Sequence, residues 1–132
     1  MSRTRPCGPE ITRGRLQKAC QFLDAASLVH DSTDDHGDHP DAYVTLCVHA
    51  GIAAADAICC ARLGRHAQGD SHNEAIELLR GVDKISAKHL GALLGMKSKA
   101  AYGYTPTSDD DRKRAARAAE ALLETARRMS AG

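Results

Sequence analysis

The spacing of hydrophobic positions is helical along most of the chain. Apolar residues recur at i, i+3, i+4 and i+7 near both ends, which is the pattern of an amphipathic helix. A central segment is apolar on nearly every side, so it is expected to be the buried helix of the domain. The pattern predicts an all-α fold, an antiparallel up-down bundle of four main helices with an extra short helix. The predicted helices cover residues 10–30, 40–63, 72–79, 83–94 and 108–129, and Gly95 is expected to end the fourth.

Polar residues mark the starts of three of these helices. Pro40 suits a first helical turn, and Asp41 beside it suits the positive end of the helix dipole. Ser71 and Glu74 have the spacing of a capping box, and Ser108 is expected to cap the last helix. These residues predict where three of the helices begin.

Residues 96–107 are expected to form an ordered surface loop, since they contain Gly103 and Pro106. The rings of Tyr102 and Tyr104 are expected to be buried against the bundle while their hydroxyls stay in water.

Composition favours helices over a sheet and says little about partners. Aromatic residues are 3% of the chain, so the core must be built from small aliphatic side chains, which suit closely packed helices. The same scarcity argues against a base-stacking platform. The net charge of +1 argues neither for nor against nucleic acid.

Residues 1–9 are expected to be a disordered basic tail, and residues 10–132 a single helical-bundle domain. No apolar stretch follows the basic residues, so a signal peptide is not predicted. The five cysteines have no framework spacing, which predicts reduced thiols in a cytoplasmic protein. They are Cys7, Cys20, Cys47, Cys59 and Cys60. The apolar run 42–63 carries His49 and Asp56, which favours a buried helix and no membrane contact.

The segment 31–41 is acidic, with five Asp, two His and no Lys or Arg. Carboxylates and imidazoles are ligands for zinc, nickel or manganese, but their spacing matches no metal motif. A solvated loop is the favoured interpretation, a metal-binding protein that uses this loop is the weaker alternative, and no cofactor is predicted. The residues that a metal would use are His30, Asp34, Asp35, His36, Asp38, His39 and Asp41.

Two polar pairs are candidates for a functional site. His49 and Asp56 share one helix face but lie about 10 Å apart along the axis, so each needs another partner or lines a cleft. Arg65 and His72 flank a connection, where an Arg could hold a phosphate while the His acts as general acid or base in RNA cleavage. A surface-exposed pair without function is the alternative, because such spacings also arise by chance.

Basic residues before and within the last helix could form a patch for phosphate backbones. The neighbouring residues 109–111 are all Asp and dilute this field, so a solvated face is the alternative. The basic residues are Lys84, Lys88, Lys97, Lys99, Arg112, Lys113, Arg114 and Arg117.

Several stretches together resemble the HEPN superfamily of small helical domains. They are FLDAA (22–26), HAGIAAADAI (49–58), GDSHNEAIELL (69–79) and KSKAAYGY (97–104). In that family a basic residue shortly followed by Ala-x-Tyr often precedes the last helix, and Lys99, Ala100 and Tyr102 are similar.

The resemblance implies a helical bundle, commonly a homodimer, that acts as a metal-independent endoribonuclease in toxin–antitoxin or defence systems, or binds RNA or nucleotides. It also allows a non-enzymatic module whose partner protein is an antitoxin or a nucleotidyltransferase. Active members use Arg, four to six residues, then His, so Arg65 and His72 are the candidate catalytic residues. The family motif usually lies nearer the last helix, which here has no His. The candidate substrate-binding residues are His49, Asp56, Lys99 and Tyr102.

Overall fold

The computed structural model describes residues 3–31, 39–69 and 71–131 and confirms the all-α fold. The helices are α1 (Pro9–Asp31), α2 (Pro40–Leu63), α3 (His72–Arg80), α4 (Lys84–Tyr102) and α5 (Asp109–Ala131). Two short strands, β1 (Thr4–Pro6) and β2 (Arg65–Ala67), pair antiparallel with Arg5 opposite His66.

Helix α2 is the centre of the bundle and packs against α1, α4 and α5. Its Ala50, Ala54 and Ala57 are fully buried, and small side chains there allow the neighbouring helices to approach closely. At Gly51 a Cβ atom would overlap Cδ1 of Leu93, so the glycine is required for this approach. The helix is long and apolar enough to cross a membrane, but 67% of its most apolar window is buried in the bundle.

The predicted helix starts are confirmed by hydrogen bonds at the caps. Ser71 Oγ accepts from the Glu74 N–H at 3.2 Å, and Ser108 Oγ accepts from the Asp111 N–H at 3.0 Å. Asp83, which the sequence placed inside the fourth helix, is its N-cap and accepts from the Ser86 N–H at 3.1 Å. These bonds satisfy donors that a helix start leaves unpaired.

The fourth helix is longer than the sequence predicted. It passes through Gly95 and ends at Tyr102, so residues 96–102 are helix rather than loop. Gly95 lies at the surface, where a glycine costs a helix about 1 kcal/mol. Met96 and Ala100, one helical turn apart, are both buried in the core, and this burial outweighs the cost.

The prediction that two tyrosines pack on the bundle is wrong. Tyr102 is 86% exposed and Tyr104 is fully exposed. Because Tyr102 lies at the end of α4, on a face turned away from Met96 and Ala100, its ring points into solvent.

The N-terminal residues also differ from the sequence expectation. Instead of a disordered tail, Thr4–Pro6 form β1, and Cys7 is joined to Cys60 by a disulfide. The expectation of reduced thiols therefore fails for this pair, while Cys20, Cys47 and Cys59 are free cysteines. The sequence separation of 53 residues hid the pairing, which requires β1 to fold back along β2.

A candidate cleft between α2, α3 and α4

An open cleft of about 290 Å³ lies between α2, α3, α4 and the segment that follows β2. Its walls combine aliphatic side chains with a few polar groups, which is the usual composition of a small-ligand site. The size is at the lower end for ligand pockets. The lining residues are His49, Ile52, Ala55, Asp56, Cys59, Ala67, Gly69, Ser71, His72, Ala75, Leu90, Leu94 and Lys97.

Three of the candidate residues from the sequence come together in this cleft: His49, Asp56 and His72. His49 and Asp56 lie on one face of α2, and His72 is the first residue of α3. His72 is fixed there because Ser71, the residue before it, caps the start of α3. The two imidazoles thus reach the cleft from different helices.

Asp56 and His49 each have a contact with α1 as well as a place in the cleft. The Asp56 carboxylate forms an ion pair with Arg15, with Nη2 and Oδ2 2.9 Å apart. Burial raises the pKa of Asp56, while Arg15 and His66 act in the opposite direction. The exposed imidazole of His49 lies 5.4 Å from the Phe22 ring, measured between ring centroids. Both alternatives drawn from the sequence, an interhelical contact and a cleft position, therefore apply.

Cys59 also lines the cleft, but its thiol is a weak nucleophile. Its side chain is buried, and burial together with the nearby Asp56 carboxylate raises the pKa of the thiol to about 12. Since a thiolate is the nucleophilic form, Cys59 is unreactive at neutral pH.

Arg65 does not line the cleft. It is the first residue of β2, is exposed, and lies opposite Pro6 in the strand register. Ala67, two residues further on and so on the same face of the strand, does line it. The structure thus places Arg65 beside the cleft and His72 inside it.

Lys99 and Tyr102 lie outside the cleft, towards the end of α4. Lys99 Nζ is 3.1 Å from the Asp111 carboxylate, and Tyr102 faces solvent. Asp109 pairs with Arg112 and Asp111 with Arg114, so the acids at the start of α5 pair with three of the eight residues of the predicted basic patch. Lys97 is different because it lines the cleft.

Sequence reasoning therefore missed Lys97 and Cys59 as cleft residues. The signal for Cys59 was present, because His49, Ile52, Asp56 and Cys59 follow a helical repeat along one face of α2. Lys97 was hidden by the assumption that α4 ends at Gly95.

The acidic segment offers little to a metal within the described part of the chain. Of its residues, Asp34, Asp35, His36 and Asp38 lie outside the described residues. Asp41 is engaged elsewhere, since its Oδ1 accepts a 2.9 Å hydrogen bond from the Thr107 N–H. Among residues 3–31, 39–69 and 71–131, no group of three or more His, Cys, Asp or Glu side chains is placed to hold a metal ion.

Comparison with protein-family models and with curated proteins finds no match for this chain.

Proposed function

We propose that this protein binds single-stranded RNA and cleaves it in the cleft between α2, α3 and α4. The observation that carries the proposal is that His49, His72 and Lys97 all line this cleft, together with several aliphatic side chains. An all-helical fold of the kind that the HEPN resemblance implies supports it.

The cleft suits a single nucleotide unit. Its volume of about 290 Å³ leaves room for one base and its sugar rather than for a duplex. Ile52 and Ala75, which are partly exposed, offer an apolar surface to the base, and the Lys97 ammonium offers a charge to a phosphate. The Asp56 carboxylate repels this phosphate less than a free carboxylate would, because Arg15 neutralises it.

Cleavage of RNA by attack of its 2′-hydroxyl requires a general base and a general acid, and two imidazoles can provide them. One imidazole takes the proton of the 2′-hydroxyl as the oxygen attacks the phosphorus, and the other gives a proton to the departing 5′-oxygen. Imidazole suits both steps because it exchanges a proton close to neutral pH. We assign the proton transfers to His72 and His49, and the contact with the reacting phosphate to Lys97. Arg65, on the strand beside the cleft, then contacts a neighbouring phosphate.

The test is cleavage of a labelled single-stranded RNA in the presence of EDTA. We expect His72→Ala to slow cleavage by about 100-fold or more, the range for loss of a general acid or base. Cleavage that is unchanged in His72→Ala and in His49→Ala would remove the cleft from the mechanism. If the wild type neither binds nor cleaves RNA, the proposal fails.

Lys97 and Lys99 form a matched pair for the binding step, because they share α4 but only Lys97 lines the cleft. We expect Lys97→Ala to weaken RNA binding about tenfold, as loss of a charge-assisted hydrogen bond predicts. Lys99→Ala should leave binding within about twofold of the wild type. Equal losses in both variants would indicate diffuse charge attraction rather than a cleft.

A second candidate function is a non-enzymatic module that binds a partner protein. The observation in its favour is the full exposure of Tyr104 and the near-full exposure of Tyr102, since tyrosine is enriched at protein interfaces. As in the HEPN resemblance, the first partner to test is a second copy of the chain. Sedimentation should show a dimer that Tyr102→Ser with Tyr104→Ser dissociates. A wild-type monomer would exclude self-association as the role of these tyrosines.

A further inference from the structure

We propose that the disulfide between Cys7 and Cys60 is a redox-sensitive latch that holds one wall of the cleft in place. The wall consists of Ala67, Gly69 and Ser71, which line the cleft beside α2 and α4. The latch would regulate the cleft assigned above, so its effect on RNA rests on the proposed function, whereas release of the wall does not.

Residues 3–8, here termed the strap, support this wall from outside. The Arg3 carbonyl accepts a 3.0 Å hydrogen bond from the Gln68 N–H, and β1 pairs with β2 along its length. The Arg3 guanidinium lies against Gly69, where a Cβ atom would be 2.8 Å from Nη2. Gly69 also has a φ of +104°, a conformation that a side chain would strain. The position of the wall therefore depends on the position of the strap.

The strap has little to hold it besides the disulfide. Each strand has three residues, and an isolated two-stranded ribbon is marginally stable in water. The Cys7 N–H adds one hydrogen bond, of 2.9 Å, to the Gly64 carbonyl, and the Gly8 carbonyl accepts bonds from the N–H and the hydroxyl of Thr12 on α1. Cys7 directly follows β1 and is joined to the last turns of α2, so the covalent bond fixes the strap to the helix core.

Cys7 and Cys60 are largely buried, with exposures of 7% and 5%, but both line a surface groove. The groove has a volume of about 500 Å³ and is lined by Cys7, Cys60, Arg13, Gly64 and Met129, among others. Arg13 lines the same groove and brings a positive charge to it.

Reduction by a dithiol balances without further reactants. One dithiol thiolate attacks a protein sulfur, forms a mixed disulfide and releases the other cysteine, which takes up a proton. The second dithiol sulfur then closes the disulfide of the reductant and releases the remaining cysteine. Two electrons and two protons pass to Cys7 and Cys60. The neighbouring Cys59 does not compete, because the raised pKa of its side chain keeps it a thiol at neutral pH.

The decisive test is amide hydrogen exchange of the whole protein before and after treatment with dithiothreitol, with mass spectrometry confirming two new thiols. We expect the amides of Cys7 and Gln68 and those of β2 to exchange at least about tenfold faster after reduction. The amides of α2 and α5 should stay protected. Unchanged exchange in β2, or a loss of protection through the whole bundle, would overturn the latch.

Two variants control this experiment. Cys7→Ala lacks the disulfide, so we expect fast exchange in β2 with or without dithiothreitol. Cys20→Ala keeps the disulfide and should respond to dithiothreitol as the wild type does. If Cys7→Ala does not fold, the comparison of oxidised and reduced wild type still decides the matter.

Binding of a labelled single-stranded RNA then tests the link to the cleft. We expect the oxidised protein to bind at least about fivefold more tightly than the reduced protein, since a fixed wall requires less ordering on binding. Equal affinity in both states, with β2 released, would overturn the regulatory role. Absence of RNA binding in both states would refute the proposed function and leave the latch to be judged by exchange alone.

Discussion

The guanidinium of Arg15 on α1 lies 2.9 Å from the carboxylate of Asp56, a residue of α2 that lines the cleft. Both side chains are mostly shielded from water, with exposures of 28% and 18%. The pair therefore joins the two helices and, at the same time, removes a free negative charge from the site proposed for phosphate.

Removal of Arg15 tests both effects. In Arg15→Ala the Asp56 carboxylate remains partly buried without its partner, and we expect the free energy of unfolding to fall by about 2 kcal/mol. RNA binding should weaken as well, because the unpaired carboxylate repels phosphate. Urea denaturation and an RNA-binding titration measure the two quantities.

Arg80→Ala is the matched control, since the Arg80–Glu77 pair is exposed and lies within one helix. Such pairs stabilise weakly, so a loss below about 0.5 kcal/mol is expected. An equal loss in both variants would mean that water entering through the cleft solvates Asp56 fully.

Two glycines in helix interiors predict opposite responses to alanine. A Cβ at Gly51 would meet Leu93 and Leu122, whose side chains are themselves fully buried. We expect Gly51→Ala to lower the free energy of unfolding by about 1–2 kcal/mol through overpacking, despite the better helix propensity of alanine.

Nothing lies within 4 Å of a Cβ placed at Gly95. There the helix propensity acts alone, and we expect Gly95→Ala to stabilise the protein by up to about 1 kcal/mol. Thermal denaturation of the two variants and of the wild type shows whether each substitution stabilises or destabilises the protein. A stabilised Gly51→Ala would show that Leu93 has room to move.

These two glycines also show how far the sequence predicts the fold. The apolar run of α2 and the Ser71 and Ser108 caps are local signals, and α2 has the predicted bounds. Gly95 is a local signal too, but burial of Met96 and Ala100 against other helices overrides it. Local helix propensity therefore predicts the bounds of a helix only where tertiary packing favours the same bounds.

The candidate site was predicted less completely, for a different reason. His49 and Asp56 could be placed on one face because they share a helix, and His72 because a cap fixes its helix start. The partner of Asp56 is Arg15, 41 residues away, and the partner of Cys60 is 53 residues away. No periodicity encodes such long-range pairs, which depend on how the helices and β1 are arranged.

The cap of α4 predicts a loss of stability in acid. The Ser86 hydroxyl and N–H bind the Asp83 carboxylate and hold its pKa below the usual 3.8. The stabilisation is thus complete above pH 3.8 and is lost as pH falls through the lowered folded pKa. We expect Asp83→Ala to cost about 1 kcal/mol near neutral pH, a typical value for a lost N-cap.

The difference between wild type and Asp83→Ala should be constant from about pH 5 to 8 and shrink in stronger acid. Chemical denaturation across this range measures it. Lys88→Ala, an exposed change on the same helix, should stay within about 0.5 kcal/mol of the wild type throughout. A difference that persists at pH 2 would assign the effect of Asp83 to packing rather than to its charge.

The buried thiol of Cys47 predicts a loss of stability in alkali. Burial raises the pKa of Cys47 from 9.0 to about 12, although the hydrogen bond with Tyr43 acts in the opposite direction. Burial also raises the pKa of the Tyr43 hydroxyl from 10.0 to about 12. At a pH between the ordinary pKa values of 9.0 and 10.0 and the folded values of about 12, the folded protein keeps protons that the unfolded chain has released. The free energy of unfolding therefore falls as pH rises through this range.

Above pH 9, a thiol whose pKa is raised in this way makes the free energy of unfolding fall by about a further 1.4 kcal/mol per pH unit. We therefore expect Cys47→Ala to flatten the dependence of unfolding free energy on pH between 9 and 11, even though it is less stable than the wild type at pH 7. Guanidinium titrations at intervals of half a pH unit resolve this slope. Parallel curves for the two proteins would show that the Cys47 thiolate forms inside the folded core without penalty, against the burial of its side chain at 0% exposure.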